Sequence, residues 1–266
     1  MTADLKVEVR NRVGILTLNR PDKLNALTTE MNEAAVEALE RFGADPQVGC
    51  VVLTGEGRGF CAGGDVSAMH AGVEIAGKGS SPEQKVDALR RRHAFPWLLH
   101  HLPKPTIAVV NGPAAGAGLG LALSCDLRLA SDQARLGTAY ARIAYGGDYG
   151  TTWQLTRLVG PAKAKELFFL PDLVAAEEAL RLGLVNRVFP HERLWDEALA
   201  IAERIAHGPA VSYRFMKANI NAAVTGDFHT LLEREAETHI RCGETADHAE
   251  GVAAFVEKRE PRFQGR

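Results

Sequence analysis

Short apolar segments alternate with amphipathic ones through the first two thirds of the chain. Near the N-terminus, apolar residues in 7–9 and 13–18 flank the polar pair Asn11-Arg12, a pattern that predicts a β-hairpin. Three later segments are short and largely apolar, as buried strands are: 48–53, 106–110 and 127–130. Because helical spacing occurs between strands, the sequence predicts an α/β fold with a parallel sheet and crossover helices.

Helical spacing is clearest between Thr28 and Phe42, where apolar residues recur every three or four positions. Thr28 or Thr29 is the predicted N-cap of this helix, and Gly43 is its predicted end. A second helix is predicted at 119–125. The last third of the chain is mostly helical in pattern, with helices predicted at 151–159, 161–170, 175–181, 191–206, 209–224 and 228–240.

The helical last third predicts a second structural region. A break at His207-Gly208-Pro209 indicates a core over 1–207 and a C-terminal helical region over 208–266. That region has more apolar residues than the short remaining chain can cover: Val211, Phe215, Ile220, Val224, Leu231 and Leu232. We therefore expect the chain to form a homo-oligomer.

Composition excludes several classes of protein. Of the 266 residues, 46% are hydrophobic and 24% are charged, proportions typical of a globular protein rather than a disordered or collagen-like chain. The net charge of −2 provides no general attraction for nucleic acid or anionic lipid. The chain contains no H-E-x-x-H motif, and no metal is expected.

Two features bear on the cellular location. The cysteines Cys50, Cys61, Cys125 and Cys242 form no C-x-x-C pair and indicate reduced cytoplasmic thiols. The first ten residues lack the apolar stretch of a signal peptide.

The uncharged segment 105–125 is rich in glycine and contains two prolines, so a buried strand, loop and helix fit it better than a membrane span. We expect a cytoplasmic protein without membrane association.

Two glycine-rich turns, Gly63-Gly64 and Ala117-Gly118, come after two predicted buried strands. Small residues let a backbone approach a ligand closely, and the carboxyl ends of parallel strands meet at one edge of a sheet. One N–H from each turn can then converge on one oxygen, the second of them at a helix N-terminus that favours negative charge. That is the design of an oxyanion hole. Tight strand–helix packing without a catalytic role is the alternative interpretation.

Several longer motifs are spread over nearly the whole chain. They are Asn19-Arg20-Pro21, Leu24-Asn25-Ala26-Leu27, Gly59 through Asp65, Pro105 through Asp126, Thr156 through Gly160, Ala175 through Val185, and Glu250-Gly251 through Phe263. Together, and in this order, they resemble the enoyl-CoA hydratase/isomerase (crotonase) superfamily.

The resemblance implies a fold, a ligand and site residues. The fold is a spiral of strand–strand–helix (ββα) turns, followed by a helical C-terminal region that builds trimers, often paired into hexamers. The ligand is an acyl-CoA thioester. Coenzyme A enters as part of the substrate, and no separate cofactor is expected. By position, the two N–H groups that stabilise a thioester enolate in this family are those of Gly64 and Ala117.

The resemblance also implies residues along the coenzyme A path. Those of the early loops are Lys23, Leu24, Ala26, Ala62 and Asp65. Phe255 and Lys258 correspond to positions where family members often reach the coenzyme A of a neighbouring subunit. All seven are expected to bind substrate.

The sequence departs from the family's hydratases at both glutamates that add water. By position, these glutamates fall on Gly120 and Tyr140. Glycine has no side chain, and a tyrosine, with an ordinary pKa of about 10, is a poor base. Tyr140 can still donate a hydrogen bond, and it is assigned to substrate binding. Hydration is therefore not the expected reaction.

Asp148 is the carboxylate that appears in their place. It lies twelve residues before Gly160, where several family isomerases that act on dienoyl-CoA or on aromatic-ring-derived CoA esters have their single acid. Tyr145, Tyr149 and Trp153 predict an aromatic wall around it, suited to an apolar or ring-bearing acyl group. Such a wall raises the pKa of a carboxyl group toward neutral pH. A solvated turn residue is the alternative interpretation.

One acid suffices to shift a proton, whereas water addition needs a second group. The expected reaction is therefore a double-bond shift, in which Asp148 moves a proton while the Gly64 and Ala117 N–H groups hold the enolate oxygen. Three alternatives stay open. Asp148 could be a nucleophile, as in the family's aryl-CoA dehalogenases. The reaction could be a ring closure or hydrolysis of a β-keto thioester, or the protein could bind acyl-CoA without catalysis.

Overall fold

The structure, a computed structural model, describes residues 2–72 and 75–266. Its strands are β1 (Leu5–Arg10), β2 (Val13–Leu18), β3 (Cys50–Gly55), β4 (Thr106–Val110), β5 (Ala114–Ala115), β6 (Leu127–Ser131), β7 (Arg135–Gly137), β8 (Val174–Ala175) and β9 (Arg187–Phe189). Its α-helices are α1 (Thr29–Ala44), α2 (Val66–His70), α3 (Pro82–Arg92), α4 (Ala94–His101), α5 (Ala117–Ser124), α6 (Thr151–Phe169), α7 (Ala176–Arg181), α8 (Leu194–Ala206), α9 (Ala210–Ala223), α10 (Phe228–Gly243) and α11 (Ala246–Glu257). Short 3₁₀-helices occur at Pro21–Lys23, Tyr140–Ile143 and His191–Arg193.

The larger of two sheets has six strands in the order β1-β2-β3-β4-β6-β9. The predicted hairpin is confirmed, because β1 and β2 pair antiparallel with Leu5 opposite Leu18. From β2 onward all neighbours are parallel, as predicted. The smaller sheet has the order β5-β7-β8.

A strand–strand–helix order repeats along the chain. In β4-β5-α5 and again in β6-β7-α6, the first strand belongs to the larger sheet, the second belongs to the smaller sheet, and a helix follows. Because β5 and β7 are parallel neighbours, as are β4 and β6, successive units stack on one another. This repeat is the predicted ββα spiral.

Apolar side chains of the larger sheet face two separate cores. On one face, Leu53 and Val110 pack with helices α1, α4 and α5. On the other face, Val52 and Val109 pack against α8. All residues of β3 and β4 are buried, which explains why their sequences are continuous apolar blocks rather than alternating ones.

Helix α1 begins as predicted and ends differently. The Thr28 hydroxyl accepts a 3.1 Å hydrogen bond from the Met31 N–H and caps the helix. Gly43 does not end it, because the helix continues to Ala44. An added Cβ at Gly43 would lie 3.1 Å from Leu102, so this glycine makes room for a neighbouring side chain.

The uncharged segment 105–125 forms β4, β5 and α5, the strand, loop and helix predicted from its sequence. Helix α5 begins at Ala117, two residues earlier than predicted, and is buried along its whole length. Within the described residues, no helix is both long enough and apolar enough to span a membrane.

Helices α9 to α11 follow the predicted break at Gly208. Buried Lys217 of α9 is hydrogen-bonded to the carbonyl groups of Leu99 and Lys104, and its ammonium group lies 2.8 Å from the Asp126 carboxylate. These contacts hold the C-terminal helices against the end of α4 and the start of β4. The division into two regions at 207/208 stays a prediction.

Candidate active site

The loop after β3 lies beside the start of α5. Cys61 forms a β-bridge with Ala114, and the Ala115 N–H donates a 2.9 Å hydrogen bond to the Cys61 carbonyl oxygen. Gly64 forms a second bridge, with Leu27. The two glycine-rich turns that were expected to face each other are therefore neighbours.

Gly63 is a point of close approach between these turns. Its φ is +90°, and an added Cβ would lie 2.8 Å from the Ala115 carbonyl oxygen and 3.3 Å from the Ala117 nitrogen. Glycine is the residue that tolerates both this φ and this proximity. Gly63 thereby brings the next residue, Gly64, alongside the first turn of α5.

Gly64 and Ala117 have N–H groups that donate no hydrogen bond within the part of the chain that the structure describes. Ala117 is the first residue of α5, so its N–H also lies at the positive end of the helix dipole. Two unpaired N–H groups on adjoining turns are the donors that a developing oxyanion requires. The arrangement fits the role predicted for both residues, which stays a prediction.

Asp148 is half-buried in the turn that leads into α6. Its Oδ1 accepts a 2.7 Å hydrogen bond from the Tyr140 hydroxyl, while its Oδ2 has no hydrogen-bond partner among residues 2–72 and 75–266. Burial raises the pKa of this carboxyl group, and the Tyr140 hydrogen bond and the nearby His93 oppose that rise. Asp148 is therefore not the freely solvated turn residue of the alternative interpretation.

Tyr140 is buried and donates the hydrogen bond that Asp148 Oδ1 accepts. It begins a 3₁₀-helix, and its ring stacks on Phe168 with the ring centroids 5.8 Å apart. Its hydroxyl also lies 3.0 Å from the Thr151 hydroxyl. Burial, followed by the charge of Asp148, raises the pKa of Tyr140, so the phenol stays neutral. Tyr140 was assigned to substrate binding, but in the structure its hydroxyl forms hydrogen bonds with two protein side chains.

Gly120 has no room for a side chain. An added Cβ would lie 2.6 Å from the Thr151 hydroxyl oxygen and 2.8 Å from the Tyr149 carbonyl oxygen. The space that a hydratase glutamate would need is therefore filled by the start of α6. Neither Gly120 nor Tyr140 supplies a carboxylate, which leaves Asp148 as the acid at this place.

His93 is a site residue that the sequence did not reveal. It joins α3 to α4, accepts a 3.4 Å hydrogen bond from the Tyr149 N–H at Nε2, and meets the Tyr149 ring edge-on. Burial lowers the pKa of His93, and the carboxylate of Asp148 opposes this change. Its only sequence signal is a lone histidine between a charged and an apolar segment, a pattern without specificity.

A cavity of about 650 Å³ begins beside His93 and Gly150, the residue two positions after Asp148. Helix α4, the start of α6 and helices α9 and α10 enclose it. Trp97 stacks on His101, and His100 meets Trp153 edge-on at 5.3 Å between centroids. The lining residues include His93, Pro96, Trp97, His100, His101, Leu102, Ser124, Gly150, Trp153, Gln154, Arg214, Lys217, Asn221 and Arg234.

The predicted aromatic wall of Tyr145, Tyr149 and Trp153 does not form. Tyr149 is buried in the core, where its hydroxyl donates a 2.7 Å hydrogen bond to Asn32. Tyr145 is 58% exposed. Trp153 alone lines the cavity, because a helical turn carries it to the side of α6 that faces α4. The other aromatic rings of the cavity come from α4.

The early loop lies against the glycine-rich turn, as its predicted role requires. The Ala62 N–H donates a 2.9 Å hydrogen bond to the carbonyl oxygen of Leu24, which has a φ of +47°. Lys23 is exposed at the end of its 3₁₀-helix, and Ala26 is buried. The Leu24–Ala62 hydrogen bond joins this loop to the turn that presents the Gly64 N–H, and the role of these residues in substrate binding stays a prediction.

Asp65, assigned to substrate binding, is held by contacts within the protein. Its carboxylate accepts a hydrogen bond from the Ala68 N–H, which caps α2, and lies 3.0 Å from the Arg20 guanidinium. The Ala68 hydrogen bond, with Arg20, lowers the pKa of this carboxyl group. The assignment of Asp65 to substrate binding stays a prediction.

Phe255 and Lys258 lie at the end of α11. Phe255 is 86% exposed, and Lys258 ends the helix in a left-handed conformation with φ +56°. The prediction that they reach the coenzyme A of a neighbouring subunit stays a prediction.

Known proteins are similar to this chain over nearly its full length. Residues 8–266 match the model of the enoyl-CoA hydratase/isomerase family. The 1,2-epoxyphenylacetyl-CoA isomerase of Escherichia coli K12 is 37% identical over 97% of each chain. The short-chain-enoyl-CoA hydratase of Clostridium acetobutylicum is 37% identical over 95% of this chain and 94% of that one.

A solved structure supports the same fold. The crystal structure of a putative enoyl-CoA hydratase from Streptomyces coelicolor A3(2) has a TM-score of 0.92 and 37% sequence identity, over 99% of this chain and 94% of that one. This chain belongs to the enoyl-CoA hydratase/isomerase family and has the crotonase fold. The recognition made from the motifs is confirmed at the level of the family.

Proposed function

We propose that this protein is an acyl-CoA isomerase that moves a double bond by a proton shift with one base. The observation that supports this most is the pair Gly120 and Tyr140. Gly120 leaves no space for a carboxylate, and Tyr140 has a neutral phenol that is hydrogen-bonded to Asp148. Asp148 is then the carboxylate that remains to act as the base, and one acid fits a proton shift better than water addition.

The reaction begins with the thioester carbonyl oxygen at the N–H groups of Gly64 and Ala117. Asp148 Oδ2 takes a proton from the carbon α or γ to the carbonyl, and the C–H electron pair moves into a dienolate. The two N–H groups stabilise the oxygen anion of this intermediate. Asp148 then returns the proton to the other carbon, so that the double bond has moved and no atom has been gained or lost.

The environment of Asp148 suits a base that works near neutral pH. A carboxyl group in water is a weak base because its pKa is far below 7. Burial raises the pKa of Asp148, and the hydrogen bond from Tyr140 limits that rise. Asp148 is thereby more basic than an exposed aspartate.

The family alone does not choose between the two reactions. The relatives described above are named as an isomerase and a hydratase at the same identity of 37%. The choice of isomerisation therefore rests on the side chains at residues 120, 140 and 148 of this chain.

The acyl group is expected to occupy the cavity beside His93. Its rings from α4 and Trp153 suit an apolar or ring-bearing acyl chain, which can stack between aromatic side chains. Coenzyme A would enter with the substrate along Lys23, Leu24 and Ala62. We also propose that the protein forms a homotrimer or hexamer and that it is located in the cytoplasm.

The test is a panel of straight-chain and aryl acyl-CoA thioesters incubated in heavy water and followed by mass spectrometry. We expect deuterium at the acyl carbons and a shifted double bond, most rapidly for ring-bearing substrates. Asp148→Asn should lower the rate by about 100-fold or more, the contribution of a general base. Asp172→Asn, at a site 94% exposed, is the matched control and should change nothing.

Three results would contradict the proposal. An unchanged rate in Asp148→Asn would exclude Asp148 as the base. An acylated enzyme, seen as an intact-mass adduct that is lost in Asp148→Asn, would identify the aspartate as a nucleophile instead. Binding of thioesters without any proton exchange would indicate an acyl-CoA-binding protein.

A further inference from the structure

The hydrogen bond between Tyr140 and Asp148 belongs to a directed chain of donors. The Tyr140 hydroxyl lies 2.7 Å from Asp148 Oδ1 and 3.0 Å from the Thr151 hydroxyl oxygen. A phenol has one proton to donate, and a carboxylate only accepts. Tyr140 therefore donates to Asp148, and Thr151 donates to Tyr140. Such chains strengthen each member, and this one ends on a single carboxylate oxygen.

The ring of Tyr140 is held as firmly as its hydroxyl. It is 5% exposed and lies nearly parallel to Phe168, at an angle of 10°. Its Cε1 atom is 3.7 Å from the point where a Cβ of Gly116 would be, one residue before Ala117. The hydroxyl of Tyr140 thus contacts the base, and its ring lies close to the turn that presents one of the two N–H donors.

We propose that Tyr140 is a positioning residue: its hydroxyl holds Asp148 Oδ1, so that Oδ2 exchanges the substrate proton, and its ring fixes the base relative to the Ala117 N–H. This inference rests on the proposed function for the substrate proton, but the hydrogen bond can be tested without substrate. It differs from the sequence-based role of Tyr140, which was contact with the substrate.

Two consequences separate positioning from simple packing. Loss of the hydroxyl removes a donor to the ionised carboxylate, so Asp148 should hold its proton up to a higher pH. Loss of the hydroxyl also frees the carboxyl group to rotate, so the proton taken from one carbon should be lost to solvent more often before it returns. Two other titratable side chains interact with Asp148, His93 at the α3–α4 junction and the buried phenol of Tyr149, and both are unchanged in the variants below.

The test compares Tyr140→Phe with Tyr213→Phe. Both lose one phenol oxygen, but Tyr213 lies on α9 beside Gly208 and has no predicted role in the site, so it serves as the matched control. The Asp148 carboxyl stretch is titrated in the free protein by infrared difference spectroscopy against Asp148→Asn. The pH dependence of kcat/KM is measured in parallel, with the deuterium content of the product in heavy water.

In Tyr140→Phe we expect the titration midpoint and the acidic limb of kcat/KM to move together to higher pH, by about one pH unit, as for loss of a charge-assisted hydrogen bond. Solvent deuterium in the product should also rise. Thr151→Val removes the donor to Tyr140 and should move the midpoint less, in the same direction. Because it leaves the phenol in place, it provides a second test if Tyr140→Phe folds poorly.

An unchanged midpoint in both variants would overturn the inference, and so would a loss of activity without a shift in the acidic limb, which indicates packing alone. These results differ from failure of the proposed function. If Asp148→Asn retains full activity, the proposed base is wrong whatever Tyr140 does. If Asp148→Asn is inactive and the Tyr140→Phe midpoint does not move, the positioning role alone is wrong.

Discussion

Gly120 of α5 and Thr151 of α6 pack so closely that a Cβ at residue 120 would lie 2.6 Å from the Thr151 hydroxyl oxygen. The same hydroxyl is hydrogen-bonded to the Tyr140 hydroxyl, which in turn donates a hydrogen bond to Asp148. The missing side chain at residue 120 and the placement of the acid are thus parts of one packed arrangement.

This packing predicts that a glutamate cannot be restored at residue 120. Gly120→Glu should lower the stability by about 1–3 kcal/mol or more through overpacking, and it should not create hydratase activity. Gly243→Glu is the matched control, because an added Cβ there meets no atom within 4 Å. Thermal unfolding and a crotonyl-CoA assay give the two readouts. Efficient hydration by a stable Gly120→Glu protein would show that the space exists.

A second prediction concerns the approach of the two turns at Gly63. Gly63→Ala should push the loop away from Ala115 and misplace the Gly64 N–H. The expected loss in kcat is about 100-fold, the usual effect of removing one oxyanion donor. Gly77→Ala controls for backbone strain, because Gly77 has a φ of +95° but no atom of residues 2–72 and 75–266 lies within 4 Å of an added Cβ. Equal effects of both substitutions would mean that strain, not the donor position, is responsible.

The raised pKa of Asp148 predicts a stability penalty that depends on pH. Because the pKa is higher in the folded state than in the unfolded state, the folded protein binds the proton more tightly. The penalty is complete above the folded-state pKa and disappears below the ordinary value of 3.8. Asp148→Asn should therefore melt at a higher temperature than the parent at pH 8, and this difference should shrink toward pH 4. A lower melting temperature at pH 8 would contradict this assignment.

The exposed apolar side chains of the C-terminal helices predict an oligomer. Eight large ones are exposed on α9, α10 and α11: Met216, Ile220, Phe228, Leu232, Ile240, Val252, Phe255 and Val256. Such side chains are usually covered by another subunit. Analytical ultracentrifugation at micromolar concentration should show a trimer or hexamer, and Phe255→Asp should shift the equilibrium toward smaller species. A monomer in the parent protein would contradict the expectation.

Periodicity was enough to predict five strands of the larger sheet, because buried parallel strands have continuous apolar sequences such as residues 106–110. The short strand β9 and the three strands of the smaller sheet were not predicted. The cap at Thr28 and the break at Gly160 in α6 also followed from local chemistry. The two glycine-rich turns were predicted as neighbours because the carboxyl ends of parallel strands share one edge of the sheet.

The features that the sequence did not predict depend on tertiary contacts, which the spacing of residues along the chain does not encode. Helices α3 and α4 were not predicted, since α3 is mostly polar and α4 has only eight residues. The cavity rings from α4 were missed with them. The wall predicted from Tyr145, Tyr149 and Trp153 failed because a turn and a helix start point these neighbours in different directions.

The most direct test of the single-base mechanism is to identify the products that the purified enzyme forms from one 3-enoyl-CoA thioester in heavy water. The proposed mechanism predicts 2-enoyl-CoA as the product, with deuterium in only part of it because Asp148 returns much of the abstracted proton before it exchanges with solvent. It also predicts loss of this activity in Asp148→Asn and little 3-hydroxyacyl-CoA. Without a second carboxylate, hydration should be slower than in a two-glutamate hydratase by about 10²–10⁴-fold. Accumulation of 3-hydroxyacyl-CoA as the main product, or hydration of crotonyl-CoA at hundreds of turnovers per second, would show that another group positions water and that Asp148 is not a lone proton shuttle.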